Sequence, residues 1–150
     1  MRRLLRYLTI LLGAFVALLL LSPWLIYEEA LLSIEGRPAK PQRLASAEEQ
    51  AAVWKLAKGA GPLHVERLNP YGYAWRLAST PLGRPDPSET LAYWVSREYI
   101  WAQPERRGMG RWHLSNAALT IWLTRHWSAE EMASFMAPVV AKWPPSRVKP

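Results

Sequence analysis

Apolar residues form one nearly continuous block near the start of this chain and return at helical intervals after it. The block spans Tyr7–Tyr27, and arginines are the only charged residues that precede it. Roughly 20 apolar residues are enough to cross a bilayer. The pattern therefore predicts a transmembrane anchor over residues 7–27, with Trp24 and Tyr27 in the aromatic belt where the helix leaves the membrane.

The charges around this block predict its orientation. No Asp or Glu occurs before Glu28, so the positive-inside rule places the basic residues 1–6 in the cytoplasm and the rest of the chain outside. The alternative is a cleaved signal peptide with Leu8–Leu21 as its apolar region. No small-x-small cleavage site follows that stretch, which favours a retained anchor.

Beyond the anchor, the pattern divides the chain into a linker, one small domain and a tail. Residues 28–45 mix proline, glycine and charges, which predicts a linker or a short helix followed by an extended spacer. Residues 46–141 carry helical spacing and are enough for a single domain with a modest core. Residues 142–150 are rich in proline and are predicted to form a flexible tail.

The first two predicted helices of the domain are marked by their capping residues. Ser46 and Glu49 form a capping box for a helix that should end at Gly59. Asn69, followed by a proline at the first helical position, should cap a second helix that runs to Ser79.

Three further helices are predicted after these two. Asp86 should cap a helix that runs to Trp101, and Gln103–Gly110 should form a polar loop. The fourth helix should open at Leu114 or with Ser115 as its cap, and a capping box at Ser128 should begin a fifth that ends near Ala141. No stretch alternates convincingly like a strand, so the predicted fold class is mainly α.

Composition narrows the classes of function. The chain has 19 basic and 12 acidic residues. Three of the basic residues precede the anchor, so the positive excess outside the membrane is mild and does not indicate nucleic-acid binding. The absence of cysteine excludes disulfides, thiol nucleophiles and zinc–thiolate sites. His64, His113 and His126 lack ligand spacing, so we expect no metal, and without a Gly-rich phosphate loop we expect no nucleotide or other cofactor.

Several stretches of the domain share the order and rhythm of one family's motifs. Residues 117–132 (AALTIW followed by LTRHWSAEEM) are similar to "ALLAIW" and "LERxYSKDEI". Residues 88–98 resemble "GSTITQQLARN" and keep Thr90 and Arg97, and residues 69–77 resemble "DPxGIxRAL". These are motifs of the peptidoglycan glycosyltransferases (transglycosylases, glycosyltransferase family 51), so the chain resembles a degenerate, truncated relative of that domain.

This resemblance implies a fold, a place and a substrate. The family has a lysozyme-like α-helical domain on a single anchor, which suggests a protein of the bacterial inner membrane with its domain in the periplasm. Family members polymerise the disaccharide of lipid II beside the membrane. Lipid II, peptidoglycan or a cell-envelope protein are therefore the partners that the resemblance implies.

The chain departs from the family at the positions that carry the chemistry. The family uses one glutamate as general base and a second near the pyrophosphate, and the matching positions here are Lys58 and Asn116. A lysine is protonated near neutral pH and an amide does not titrate there, so neither replaces a carboxylate. No catalytic residue is predicted, and whether the protein is an enzyme stays open.

Glu66, Asp86, Glu89 and Glu98 lie near the presumed cleft in sequence, and a pair of them at a suitable distance could supply a replacement acid–base pair. We expect helix capping or hydration for them instead. Binding residues are predicted from sugar-stacking aromatic rings and diphosphate-binding guanidinium groups. The candidates are Thr90, Arg97, Trp94, Arg111 and Arg76, with Trp75, Trp101, Trp112, Arg106 and Arg107 as further possibilities.

Three hypotheses follow. The first is a catalytically silent, membrane-anchored protein that binds glycan strands, lipid II or a partner in cell-wall synthesis. The second is a divergent but active glycosyltransferase, and the third is an inner-membrane scaffold without any glycan contact. Polymer formation from lipid II separates the first two, and capture of an envelope protein without glycan binding would favour the third.

Overall fold

The computed structural model describes residues 2–79, 85–104 and 108–143. Six helices make up this part of the chain, which contains no strand, so the prediction of a mainly α-helical protein is confirmed. They are α1 (Arg2–Leu32), α2 (Ala47–Leu56), α3 (Pro70–Ala78), α4 (Pro87–Trp101), α5 (Met109–His126) and α6 (Ala129–Val140).

α1 has two parts, an exposed apolar first part and a second part that packs into the core of the domain. Its segment Arg6–Leu32 is long and apolar enough to cross a membrane, and all side chains from Arg6 to Leu21 are exposed. Beyond them, Tyr27, Ala30 and Leu31 are buried in the domain core. The exposed apolar segment and the domain are therefore joined by one continuous helix.

The segment predicted as a linker differs from that expectation. Residues 28–32 continue α1, because two glutamates, an alanine and two leucines favour helix. The helix ends before Gly36, whose positive φ of 67° suits glycine. Ile34 and Pro38 are buried, and Lys40 pairs with Glu131 of α6 at 2.8 Å. Much of this segment is thus held against the domain.

The core lies where α4, α5 and α6 meet. α5 packs against α4 on one side and against the second half of α1 on the other, while α6 packs on α4 and α2. The side chains that are completely buried include Leu91 and Val95 of α4, Leu119 and Leu123 of α5, and Met132 of α6. α3 is a short helix held between α1 and α5.

Four predicted helix starts are present. Ser46 and Ser128 both form complete capping boxes, with Glu49 and Glu131 respectively. Asn69 accepts a hydrogen bond from the amide of Gly72 at 2.8 Å. Asp86 accepts one from the amide of Ser88 at 2.8 Å, so all four helices begin where their caps predicted.

The start of α5 was predicted wrongly. The helix begins at Met109 behind Gly108, so Met109 and Gly110 of the expected loop are helical and Ser115 is a buried residue inside the helix, not its cap. A proline and two glycines give this stretch weak helix propensity. Packing of Trp112 against the core overrides that weakness. Residues 144–150 of the expected tail lie outside the described residues.

Candidate functional site

The position that matches the family's general base is part of a helix end. Lys58 is exposed and has a positive φ of 66°, the left-handed conformation of a residue that follows a helix. Its amide donates to the carbonyl of Lys55 at 3.0 Å, and the amide of Gly59 donates to that of Trp54 at 2.9 Å. This pair of hydrogen bonds is a Schellman motif that terminates α2.

The position that matches the second family glutamate lies in the protein interior. Asn116 is 2% exposed, in the middle of α5. Its amide nitrogen donates to the carbonyl of Trp112 at 3.0 Å, and its side-chain oxygen accepts from Ser96 at 3.1 Å. The two matched positions therefore do not share a surface, since Lys58 faces solvent and Asn116 faces the core.

Several of the predicted binding residues have partners within the domain. Thr90 donates to the carbonyl of Asp86, the N-cap residue of its own helix, at 3.3 Å. Trp94 is half-buried, with its ring edge against Trp143 at a centroid distance of 5.1 Å. Arg76 of α3 forms an ion pair with Glu89 of α4 at 2.8 Å. These contacts tie the domain together and leave these side chains less available to a ligand.

Glu89 belongs to a group of carboxylates at the start of α4. Burial raises its pKa, the nearby Arg76 partly offsets this, and the charges of Glu66 and Asp86 raise it further. The contact with Arg76 is an ion pair but does not have the geometry of a hydrogen bond. Within the described part of the chain, Oε2 of Glu89 is therefore buried without a hydrogen bond. A carboxyl group with a raised pKa is the type that can act as a general acid.

Neighbouring groups distinguish Glu89 from Asp86. Burial would raise the pKa of Asp86, but hydrogen bonds from the side chain and amide of Ser88, together with nearby His64, lower it overall. The pKa of Tyr73, beside Glu89, is raised to about 12, first by burial and then by the Glu89 charge. Sequence reasoning named Arg76 and Glu89 separately, but nothing in their spacing indicated that they pair.

Arg97 lies in a different setting, an open depression at the end of α4. The depression is about 530 Å³ in volume and is lined by Tyr93, Arg97, Glu98, Trp101 and Trp112. Trp101 is 70% exposed, and its ring meets that of Trp112 edge-on at a centroid distance of 6.3 Å. Arg97 contacts Glu98 at 3.3 Å. We call this set of five residues the aromatic depression.

The aromatic depression brings together residues that the sequence placed apart. Arg97, Trp101 and Trp112 were each candidates, and Arg111 is the exposed neighbour of Trp112 in α5. Tyr99 and Gln103 donate to the carbonyl of Glu35 at 2.8 and 3.0 Å, which fixes this end of α4 beside the residues that follow α1. Arg106 and Arg107 lie outside the described residues.

A second cavity, of about 500 Å³, was not predicted. Its walls come from residues between 63 and 67, before α3, from the junction between α5 and α6, and from Lys40. Arg67 and Arg125 line it together with the carboxylates of Glu130 and Glu131. Because these residues come from distant parts of the chain, no local motif could have indicated this cavity.

Metal binding finds no support among these side chains. No group of three or more His, Asp or Glu residues in the described ranges could hold an ion. Comparison with protein-family models, with curated proteins and with solved structures finds no match to this chain.

Proposed function

We propose that this protein is a single-pass membrane protein of the bacterial cell envelope that binds glycan outside the inner membrane and does not polymerise it. In this proposal, α1 crosses the membrane with its arginines in the cytoplasm, and the domain is a degenerate, lysozyme-like relative of the peptidoglycan glycosyltransferases. The resemblance of residues 69–77, 88–98 and 117–132 to that family supports the choice of peptidoglycan or lipid II as ligand.

The exposed indole of Trp101 is the observation that carries the proposal. Trp101 is 70% exposed, and together with Trp112 it offers an aromatic surface that is accessible to a ligand. The flat face of an indole matches the C–H face of a sugar ring, and neighbouring polar groups can bind the sugar hydroxyls. Arg97 and Glu98 supply a donor and an acceptor within the same depression.

The charge balance of the aromatic depression suits a neutral sugar better than a diphosphate. Arg97 is already paired with Glu98 at 3.3 Å, so the site carries no clear excess of positive charge. Glu35, which follows the end of α1, accepts a hydrogen bond from Tyr99 of the same helix as Arg97 and holds α4 against the residues that follow α1.

The loss of catalysis in this proposal rests on Lys58 and Asn116. A lysine at a helix end and a hydrogen-bonded amide in the core offer no carboxylate for proton transfer. General acid–base catalysis contributes about 10²–10⁴-fold, so a protein without it would polymerise lipid II too slowly for this to be its role.

Glu89 favours a second candidate function, a divergent but active glycosyltransferase. Its carboxyl group has a raised pKa and lies near Asp86 and Glu66. Enzymes that use acid–base catalysis often contain such groups of carboxylates with shifted pKa values. Against it, Glu89 is paired with Arg76 across two helices, a contact that explains its burial as packing.

The test uses the full-length protein in detergent micelles, with isolated peptidoglycan and with labelled lipid II. We expect co-sedimentation with peptidoglycan, no polymer, and a loss of affinity of about tenfold for Trp101→Ala. Trp75→Ala is the matched control, because Trp75 is equally exposed, at 73%, but lies on α3. Polymer that disappears in Glu89→Gln would establish the enzyme instead. Absence of binding to either ligand would leave the third hypothesis, a scaffold.

A further inference from the structure

α3 presents an aromatic face that the domain does not cover. Tyr71 and Trp75 are one helical turn apart, and they are 42% and 73% exposed. The hydroxyl of Tyr71 donates to the backbone carbonyl of Leu20 in α1. That carbonyl belongs to the apolar segment that is long enough to cross a membrane. The start of α3 is therefore held close to Leu20 of α1.

The length of the exposed part of α1 determines how close the domain would lie to a membrane that this helix crosses. The side chains of Tyr7–Leu21 are exposed on all sides, and burial against the domain begins at Ser22. At 1.5 Å per residue this stretch is about 22 Å long. The hydrocarbon core of a bilayer is roughly 30 Å thick. A membrane centred on this stretch must therefore reach the part of the domain that packs on α1 beyond Leu21.

An apolar groove of about 280 Å³ begins at the same level. Ser22 and Pro23 of α1 form one wall, and Tyr73 of α3 and Ile121 of α5 lie among the residues of the other walls. Leu114, which also lines the groove, is 47% exposed. An open apolar groove that starts where an apolar span ends is continuous with the lipid around that span.

Cationic and aromatic groups lie at the same end of the domain. The guanidinium of Arg125 is 5.6 Å from the ring centre of Trp24 and donates to the carbonyl of Leu68 at 3.2 Å. Arginine and tryptophan at a membrane boundary interact with phosphate headgroups and with the interfacial layer, respectively. The apolar groove is thus suited to an acyl chain, and Arg125 is suited to a phospholipid headgroup. The aromatic face of α3 is suited to the interfacial layer between them.

We propose that α3 is a second membrane-contacting element. Tyr71 and Trp75 insert into the outer leaflet, and an acyl chain of a phospholipid from the same bilayer fills the groove between α1, α3 and α5. This inference rests on the proposed membrane span of α1 and is independent of glycan binding. The proposed insertion explains why the domain exposes a tyrosine and a tryptophan beside α1.

The absence of cysteine makes a direct depth measurement possible. Single-cysteine variants Phe15→Cys, Trp75→Cys, Leu114→Cys and Trp101→Cys of the full chain are labelled with an environment-sensitive fluorophore in phosphatidylglycerol/phosphatidylethanolamine nanodiscs. Quenchers are nitroxide groups on the lipid acyl chains in one series and iodide in the other. All four positions are exposed, so the label does not disturb the core.

We expect acyl-chain nitroxides to quench the labels at 15, 75 and 114 several-fold more than the label at 101, and iodide to quench only the last. A label at 75 that behaves like the one at 101, while 15 stays protected, overturns the insertion of α3. Quenching at 75 without quenching at 114 overturns the filled groove. Iodide quenching at 15 shows that α1 does not span, which removes the basis of the inference and is distinct from its own failure.

Discussion

Ser96 of α4 donates to both the backbone carbonyl and the side-chain oxygen of Asn116 of α5, each at 3.1 Å, inside the core. The amide nitrogen of Asn116 donates in turn to the carbonyl of Trp112. This buried polar contact fixes the register between the two longest helices of the domain, because a shift of either helix would leave a buried polar group without a partner.

Asn116→Asp should destabilise the domain increasingly as the pH rises. The introduced carboxylate would be buried without a cation, and its pKa in the folded state would exceed that in the unfolded state. The protonated form retains a hydrogen-bonding group, so the loss should be small below about pH 4 and several kcal/mol at neutral pH. Urea unfolding followed by circular dichroism in micelles measures this dependence.

Asn116→Ala is the control for this variant. It removes the same hydrogen bonds without adding a charge, so its cost of about 2 kcal/mol should not change with pH. Equal pH dependence of the two variants would contradict the burial of position 116. Glycosyltransferase activity in Asn116→Glu, with stability retained, would contradict the structural role that we assign to this residue.

Lys58→Gly should stabilise the protein. A lysine in the left-handed region is strained by its Cβ atom, and glycine removes this strain at the end of α2. We expect a gain of about 1 kcal/mol in the free energy of unfolding, partly offset by the greater flexibility of the unfolded chain. Denaturant unfolding at neutral pH measures it.

The neighbouring Gly59 provides the matched comparison. A Cβ atom there would overlap the buried indole of Trp54, so Gly59→Ala should cost about 1–3 kcal/mol. Gly110→Ala serves as the control, because nothing lies within 4 Å of its added Cβ and alanine favours the helix. A destabilising Lys58→Gly would mean that the lysine side chain makes a contact that outweighs its strain.

Local signals in the sequence were sufficient for most of the helices. Ser46, Asn69, Asp86 and Ser128 each form the hydrogen bond that their residue type and spacing predicted. Such caps depend only on neighbours within a few residues, so they can be predicted without the fold. The start of α5 depends instead on how Trp112 packs against distant residues, and its glycines gave a misleading local signal.

The candidate site was predictable only in part, for the same reason. Arg97 and Trp101 share one end of α4, so their proximity follows from helical spacing. Their junction with Trp112 requires the packing of α4 on α5, which the sequence does not reveal. The burial of Asn116 was missed because a family motif assigned it to a cleft, whereas the hydrogen bond to Ser96 places it in the core.

Glu89→Gln should change how stability depends on pH. Burial raises the pKa of Glu89 despite Arg76, so the folded state holds this proton more tightly than the unfolded state. The stabilising contribution of the protonated group is therefore complete below about pH 4 and is lost as the pH rises through the raised pKa. Glutamine does not titrate, so the Glu89→Gln variant does not lose stability in this way. As the pH increases, the free energy of unfolding of the wild type should therefore fall relative to that of the variant.

Measurement of urea midpoints from pH 3.5 to 7.5 would follow this difference. Arg76→Gln provides the control. Without the guanidinium, the pKa of Glu89 should rise further and the loss of stability with pH should become larger. A difference between wild type and Glu89→Gln that grows in favour of the wild type as pH rises would contradict a raised pKa.

Glu131→Gln should show the opposite dependence on pH. Burial raises the pKa of Glu131, but hydrogen bonds from Lys40 and from the amide of Ser128, together with the Lys40 charge, lower it overall. The stability that this carboxylate contributes is present above the usual Glu pKa and is lost as the pH falls through the lowered value. Gln can still accept the hydrogen bond from Ser128, so the variant isolates the charge.

Lys40 is half-exposed, so screening by water limits the effect at pH 7 to about 0.5 kcal/mol. Lys40→Met should lose a similar amount at pH 7, and the double variant Lys40→Met/Glu131→Gln should lose little more than either single variant. All three should approach the wild type below about pH 4, where the carboxylate is protonated. Fully additive losses in this cycle would contradict the contact, and with it the attachment of residues 33–45 to α6.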